Sequence, residues 1–444
     1  MADRDESSDQ EGQNSILEQA MRLHRSGQLE PAIAVYRQVL EYNPDHPDAL
    51  HYLGLASHAS GNFEQAIAHI SKALTVAPEY VEALNNLGVI YQSMGKLEEA
   101  GRCYSRVIEI RPEHSDSHNN LGVVLKSQGR MRDAASAFEE ALALDPNHAR
   151  AHHNLGNLYR RARHFEEATF HFRAAIDAGL QTMEARQALV NALFKSGQRE
   201  EAVRALNEWL EVEPNHPIAL HMRAALQASD APSRASDGYV KAVFDDMAGS
   251  FDEHLGGLGY RAPGLVSDAL HAAVKSATAQ LLVLDAGCGT GLCGPLIKPL
   301  AAHLTGVDLS PKMLHRAQLT GAYDALYEAE LTAFLQAHAG AFDAIISADT
   351  LCYFGDLVEV STAASAALKP GGHFVFTVEH LDTDNEAGFT LNPNGRYAHT
   401  RQYVSEILNQ AGLRSRSLEI EILRRESGAD VEGLIVHASR PAAA

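Results

Sequence analysis

Cysteine is scarce. Cys103, Cys288, Cys293 and Cys352 are the four in 444 residues, and none lies in a C-x-x-C pair. That spacing excludes the usual zinc sites, so no metal is expected; small buried thiols in a reducing compartment are the expectation. Positive charge is also short, with 37 Lys and Arg against 57 Asp and Glu and a net charge of -20. A surface that tracks phosphates needs clustered Lys and Arg, and no basic run supplies one, which argues against a nucleic-acid partner. Long apolar runs are missing too. The longest, around Leu281 to Ala286, is strand-sized, so neither a membrane span nor a membrane partner is expected. Met1 to Gln13 is acidic and polar, without the basic and apolar regions of a signal peptide. It reads as a disordered N-terminus, and a cytoplasmic address is expected.

What is present is a folding composition, 45% hydrophobic and 21% charged, in a chain too long for one core. The first half repeats itself every 34 residues. Pro44, Pro78, Pro112, Pro146 and Pro214 fall on one grid, with Leu180 in the vacant slot. Ala32, Ala66, Ala100, Ala134, Ala168 and Ala202 fall on a second. Gly27, Gly61, Gly95, Gly129 and Gly197 form a third, with Arg163 as the exception, and Gly54, Gly88, Gly122 and Gly156 a fourth. Each grid has a physical meaning. A small residue such as Gly88 or Ala100 lets two helices approach closely. Gly95 stops a helix where a positive φ is useful, and Pro112 ends the next one. Ala83–Met94 and Leu97–Ile110 carry helical apolar spacing. Each unit is a helical hairpin that cannot bury its face alone, so the units must stack.

This pattern resembles tetratricopeptide repeats, about six of them plus a capping helix from about Pro217 to Ala228, and the repeat domain is placed at residues 14–230. The resemblance implies an all-α solenoid whose groove receives a protein or peptide. Asn86, Asn120 and Asn154 share one repeat position, in the strings N-N-L-G, N-N-L-G and H-N-L-G, flanked by Tyr52 and Ala188. They resemble the asparagines of O-GlcNAc transferase repeats, which implies a row of amides holding peptide backbone. An amide offers both a donor and an acceptor for that role. The alternative is a solvated polar residue of the repeat consensus.

The grid stops around Ser229 to Gly238, a small, polar stretch that reads as a boundary, with residues 231–238 as linker and a second domain over 239–440. Beyond it, short apolar runs alternate with helical segments. The expected strands are Leu281–Asp285, His303–Asp308, Ala325–Tyr327, Phe342–Ser347 and His373–Val378. Alternation of this kind marks a parallel sheet with crossover helices. Ser415–Leu423 and Val431–Ala438 read as an antiparallel hairpin at the sheet edge.

The first strand ends in L-D-A-G-C-G-T-G, which contains Asp285, Gly287, Gly289 and Gly291. Glycines between a strand and a helix let backbone approach a ligand. The dinucleotide fingerprint would need a glycine at Leu292, and no phosphate-cradling G-x-x-x-x-G-K-[ST] occurs. The second strand ends at Asp308, an acid suited to both hydroxyls of a ribose, and Ser310-Pro311 starts a helix. Glu330 and Leu331, then Asp349, then L-K-P-G-G at Leu368 to Gly372, complete the series.

In this order the motifs resemble a class I S-adenosylmethionine-dependent methyltransferase, an α/β, Rossmann-like domain of seven strands, over roughly Tyr239 to Arg440. The resemblance implies that Asp285 and the loop Gly287–Gly291 hold the methionine portion of the cofactor. It implies that Asp308 takes the ribose, that Leu309 packs on adenine, and that Glu330 and Leu331 meet the adenine edge. Aspartate is commoner than glutamate at that last position. Phe244, Asp245, Phe251 and Asp252 are similar to a recurrent pattern in helices that cover the cofactor. G-R-Y-A-H, within Gly388–Thr400, resembles a segment of a bacterial branch of methyltransferases also found fused to such repeats.

A sulfonium methyl is already reactive, so the protein must chiefly align an acceptor and exclude water, and a base is needed only if the nucleophile arrives protonated. Candidates are His399, Tyr397 and Asp349, with Arg396 as anchor for an acidic group. The leading expectation is methyl transfer to a protein or peptide held by the repeats. The alternatives are a small-molecule acceptor with the repeats serving assembly, and a non-catalytic repeat scaffold.

Overall fold

The computed structural model describes residues 16–227, 231–274, 280–383, 385–426 and 428–442, so the expected disordered segment 1–13 lies outside the described residues. The chain forms two compact units, 1–198 and 199–444.

In the first unit, helical residues 16–25 lead into ten further helices, Leu29–Tyr42 to Met183–Lys195, in antiparallel pairs. Two grids explain the pairing. A Cβ added at Gly88 would lie 2.7 Å from the Tyr104 ring, at Gly122 2.6 Å from Phe138, and at Gly156 2.9 Å from Phe172. Those three rings are fully buried. These three repeats therefore seat an aromatic ring on a bare backbone, and the repeat of Gly54 seats Ile70 there, which brings the two helices together with dense packing. The helix-stop grid takes the left-handed conformation, with φ +72° at Gly95 and +79° at Gly129. Arg163, the exception in that grid, has φ 65°. The stacked geometry thus imposes the conformation on a residue that bears a Cβ.

A further 34-residue grid lies at the helix starts. His46, Tyr80, His114, His148 and Thr182 all precede the first helix of a hairpin. The Nδ1 of His46, His114 and His148 accepts the backbone N–H of Ala49, Ser117 and Ala151 at 3.4, 3.2 and 3.2 Å. The histidine Nδ1 caps the helix here by the same means as a serine or aspartate oxygen elsewhere.

The second unit begins with the helices Arg199–Val212 and Pro217–Gln227, which the 34-residue pattern assigns to the repeats. Ser236, inside the expected linker, caps the helix Asp237–Met247 by accepting the Tyr239 N–H at 3.2 Å. The helices Phe251–Gly257 and Ala262–Ala273 follow. Among the described residues nine strands then form one sheet: β1 (Leu281–Ala286), β2 (Ala301–Asp308), β3 (Ala325–Glu328), β4 (Phe342–Ser347), β5 (Leu368–His380), β6 (Phe389–Leu391), β7 (Tyr397–His399), β8 (Arg414–Glu426) and β9 (Ala429–Ser439).

β3, β2, β1, β4 and β5 are parallel, in that order, and antiparallel β9 pairs with β5 and carries β8. Those are the seven expected strands. The tail hairpin lies at the sheet edge as expected, with β9 against β5 and β8 outermost. The other two strands, β6 and β7, extend the tip of β5 by pairing at Glu379 and His380. Val283, Leu304, Ala344, Ile346 and Val375 fill the core between the sheet and the helix Ala262–Ala273. Near-continuous apolar strands are what a sheet covered on both faces requires.

Candidate active site

Parallel strands end together, and a ligand cleft forms outside their carboxyl ends where the order reverses, here between β1 and β4. A cavity lies there. Gly287, Cys288, Gly289 and Thr290 line it, with Asp308, Leu309, Glu330 and Leu331 along one side and Asp349, Arg396 and Arg424 at another. Gly287, Gly289 and Gly291 all have positive φ, and a Cβ at Gly287 would overlap the Thr350 side chain. Gly291 is used for packing instead, since a Cβ there would come 3.1 Å from the Ala317 backbone.

Asp308 sits at the end of β2. Its two carboxylate oxygens each accept a backbone N–H at 2.9 Å, one from Gly289 and one from Ser310. Burial pushes its pKa up, and those N–H groups pull it down. Asp285 is buried one strand away and does not line the cavity. Its Oδ2 accepts the Tyr323 hydroxyl at 2.6 Å, while Oδ1 is buried without a partner. Burial pushes this carboxyl up to about 7, against the pull of the Tyr323 bond. Glu330 caps the helix Leu331–Ala337 through Oε2, which accepts the Ala333 N–H at 2.8 Å, and its Oε1 is also buried without a partner. Buried acceptors rarely stay unpaired, and Glu330 lines the cavity, so its orphan Oε1 marks a place where a ligand donor fits.

Asp349 has φ 54°, a conformation strained for a residue with a Cβ. Thr377 holds it: the Asp349 N–H donates to Thr377 Oγ1 at 2.8 Å, and that hydroxyl donates to Asp349 Oδ1 at 3.1 Å. Its Oδ2 pairs with Arg424 at 2.7 Å. Arg424 is 1% exposed and also bonds Glu379 and Glu426, while Arg396 meets Glu426 at 2.6 Å and Glu379 at 3.5 Å. Burial pushes Glu426 up, but Arg396 and Arg424 hold it down at about 2. Arg396 thus reaches the cavity already paired. Spacing could not reveal this network, because its members come from the ends of β4, β5 and β8 and from the turn before β7. In the sequence Arg424 stands beside Arg425, and nothing local separates the buried arginine from the exposed one.

Tyr397 and His399 are fully buried, and neither lines the cavity. The Tyr397 hydroxyl donates to the Pro232 carbonyl at 2.6 Å, and His399 Nε2 bonds the Gly355 carbonyl at 3.0 Å. Burial pushes His399 down to about 4, against its backbone bonds. The expectation that either moves a proton during transfer is therefore corrected. The loop containing them folds inward as β7, because Tyr397 and Leu391 pack on Ala225.

The helices over the cavity are latched to it. Asp245 accepts the Ser310 hydroxyl at 2.6 Å, and Asp252 accepts the Thr290 hydroxyl at 2.5 Å. Phe244 packs edge-on against Phe251 and Tyr353. All four cysteines are buried, and burial pushes their thiols up, as inert thiols require.

In the first unit, Asn86, Asn120 and Asn154 are half-buried and form a ladder between repeats. The Nδ2 of Asn86 lies 2.9 Å from His51 Nε2, that of Asn120 donates to Asn85 at 3.2 Å, and that of Asn154 donates to Asn119 at 3.0 Å. Each pair is 35 residues apart. One N–H of each amide therefore ties neighbouring repeats together; the Asn120 carbonyl also accepts from Asn119 at 3.3 Å, while the second N–H of each amide and the carbonyls of Asn86 and Asn154 remain for another partner.

Among the described residues, no helix is long and apolar enough to cross a membrane. A family model described as a methyltransferase domain matches residues 284–376. Models described as tetratricopeptide repeats match 45–113, 79–147, 117–180 and 183–226. The chain is 31% identical over 172 residues to Methyltransferase-like protein 27 of Homo sapiens, covering 38% of this chain and 66% of that one. It is 33% identical over 99 residues to Ubiquinone biosynthesis O-methyltransferase of Aromatoleum aromaticum, covering 21% and 42% respectively. The chain thus spans less than two thirds of the length of these relatives. A solved structure of Pseudomonas aeruginosa pilF aligns with 48% of this chain and 98% of its own, at 20% identity and a TM-score of 0.43. The cleft at the β1–β4 crossing and the matched repeats before it make this chain a fusion of tetratricopeptide repeats to a methyltransferase domain.

Proposed function

We propose that the second unit transfers a methyl group from S-adenosylmethionine to a protein or peptide recruited by the repeats. The observation that carries this reading is the continuous cavity lining from the glycine loop, past Asp308 and Glu330, to Asp349. S-adenosylmethionine would supply a methyl activated by a sulfonium. Asp308 would accept the ribose hydroxyls, and Glu330, with its free Oε1, would accept from the adenine edge between Leu309 and Leu331. Gly287, Cys288, Gly289 and Thr290 would face the amino-acid portion, with the Asp285 carboxyl behind that loop and Gly291 packing it in place. Phe244, Phe251 and Tyr353 would keep water from the acceptor, and Asp349, fixed by Thr377 and Arg424, would orient it. Such alignment is worth about 7–11 kcal/mol of barrier.

Tetratricopeptide matches support a protein partner for the first unit, and the second N–H of Asn86, Asn120 and Asn154, with the carbonyls of Asn86 and Asn154, would meet its backbone. The similarity to a protein named as an O-methyltransferase of ubiquinone biosynthesis favours a second reading, a small-molecule acceptor with the repeats serving assembly. Calorimetry on the full chain tests the cofactor. S-adenosylhomocysteine should bind, and Asp308→Ala should weaken it severely; a response to a nicotinamide dinucleotide alone would sink the reading. Lysate of a deletion strain, incubated with the chain and radiolabelled cofactor, separates the acceptors by placing label in a protein band or in a small-molecule fraction.

A further inference from the structure

His221 lies in the helix Pro217–Gln227, which the 34-residue pattern assigns to the repeats, yet its ring is engaged on both sides with the site-bearing unit. It is 4% exposed. Burial pushes the imidazole below its ordinary pKa, so at neutral pH it is uncharged. Nε2 lies 2.9 Å from the Gly395 carbonyl and donates to it. The ring face stacks on Tyr239, with centroids 3.9 Å apart.

Each contact leads to the cavity by one step. Gly395 precedes Arg396, which lines the cavity. The Gly395 turn is tight: its N–H donates to the Asn392 carbonyl at 2.8 Å, and the Arg396 carbonyl accepts the Asn392 N–H at 2.8 Å. A Cβ at Gly395 would overlap the Tyr239 hydroxyl, so the turn is pressed against that ring. Tyr239 stands in the first turn of the covering helix Asp237–Met247. Two turns on, Asp245 latches Ser310, two residues beyond Asp308. Ala225, from the same helix as His221, packs on Leu391 and Tyr397.

We infer that His221 is a positioning residue with two separable contacts: its N–H fixes the turn that presents Arg396, and its ring face fixes the helix that covers the cavity. The last helix of the repeat pattern is then a wall of the catalytic unit, and a fragment beginning at residue 231 would lack it. The second contact rests on the cofactor reading given above; the first does not.

Two substitutions in the full chain separate the contacts. His221→Phe keeps an aromatic face and loses the N–H, whereas His221→Gln keeps an N–H donor and loses the face. Hydrogen exchange should rise at least tenfold across 392–397 in His221→Phe, with 237–247 unchanged. In His221→Gln the pattern should reverse, and S-adenosylhomocysteine should dissociate several-fold faster. Wild-type exchange in both variants, or equal loosening of β1 to β5 in both, would overturn the assignment, the latter because it would mean a purely structural histidine. A wild-type chain that ignores S-adenosylhomocysteine would remove the cofactor reading alone, and exchange at 392–397 would still judge His221.

Discussion

Asn154 donates its side-chain N–H to the Asn119 carbonyl oxygen at 3.0 Å, across a repeat boundary. The same step of 35 residues leads from Ala188 to His153, whose Nε2 meets Asn157 and whose Nδ1 is buried without a partner. The ladder therefore ends at Ala188 for want of an amide. Ala188→Asn should supply the missing donor and stabilise the array by about 0.5–1.5 kcal/mol, the net value of one such bond. A urea titration that shows no gain, or a loss, would count against the ladder as a stabilising element.

Replacing Asn86, Asn120 and Asn154 together with Ala should lower the stability of the repeats by about 1.5–4.5 kcal/mol, three times that single-bond value. S-adenosylhomocysteine binding by the second unit should stay unchanged. Far-ultraviolet melting and calorimetry on one preparation read both effects.

Arg424 faces three carboxylates, those of Asp349, Glu379 and Glu426. Arg424→Met removes the cation and leaves acids crowded together in a dry place. Breaking a buried pair from one side typically costs about 3–5 kcal/mol. The urea midpoint should fall accordingly, and restoring charge with Arg424→Lys should recover only part, since one ammonium cannot reproduce three directed N–H contacts. Equal stability of the Met variant and the parent would show the network to be superfluous.

Asp285 titrates near 7 because burial disfavours its charged form. An ammonium group brought beside it attracts only the ionised carboxylate. Affinity for S-adenosylhomocysteine should therefore rise from pH 6 to pH 8, by up to about tenfold, as the carboxyl loses its proton. Asp285→Asn should flatten that profile. A parent profile as flat as that of the variant would place the ammonium elsewhere.

Acid should weaken the fold through His399. Its folded pKa, about 4, lies below the value of 6.5 it has when exposed. The folded state holds it neutral, so its contribution is complete above pH 6.5 and is lost as pH falls toward 4. At about 1.4 kcal/mol per unit the loss is on the order of 3 kcal/mol. Urea midpoints measured from pH 7 to pH 4 should drop less steeply in His399→Gln.

The repeat grids and the strands were legible because each rests on local rules. A helix stop needs positive φ, and a buried parallel strand needs an apolar run; β1 to β5 accordingly contain the five expected runs. Asp308 and the glycine loop were legible because their spacing is set by one strand-turn-helix unit. Arg424 and Glu379 were not, because residues 45 positions apart meet only once β8 and β5 are brought into one sheet through β9. Tyr397 and His399 were misjudged for a related reason. A polar, aromatic segment after β5 looks like a loop over a cleft, but pairing with β5 and packing on Ala225 turn it inward. His221 was invisible as a partner of Gly395, 174 residues away.

The ring-on-glycine and amide-ladder contacts keep the same registers from one repeat to the next, and this fixes how the array can change in length. Deleting residues 86–119 joins Asn85 directly to Asn120 and rebuilds the string N-N-L-G. Asn120 then inherits His51 as its acceptor, and Gly122 still lies beneath Phe138. A cut that is not a multiple of 34 residues turns every later helix face away from its neighbour. The array can be edited like a strip of film, by whole frames, and its span can be reset without redesigning a single contact.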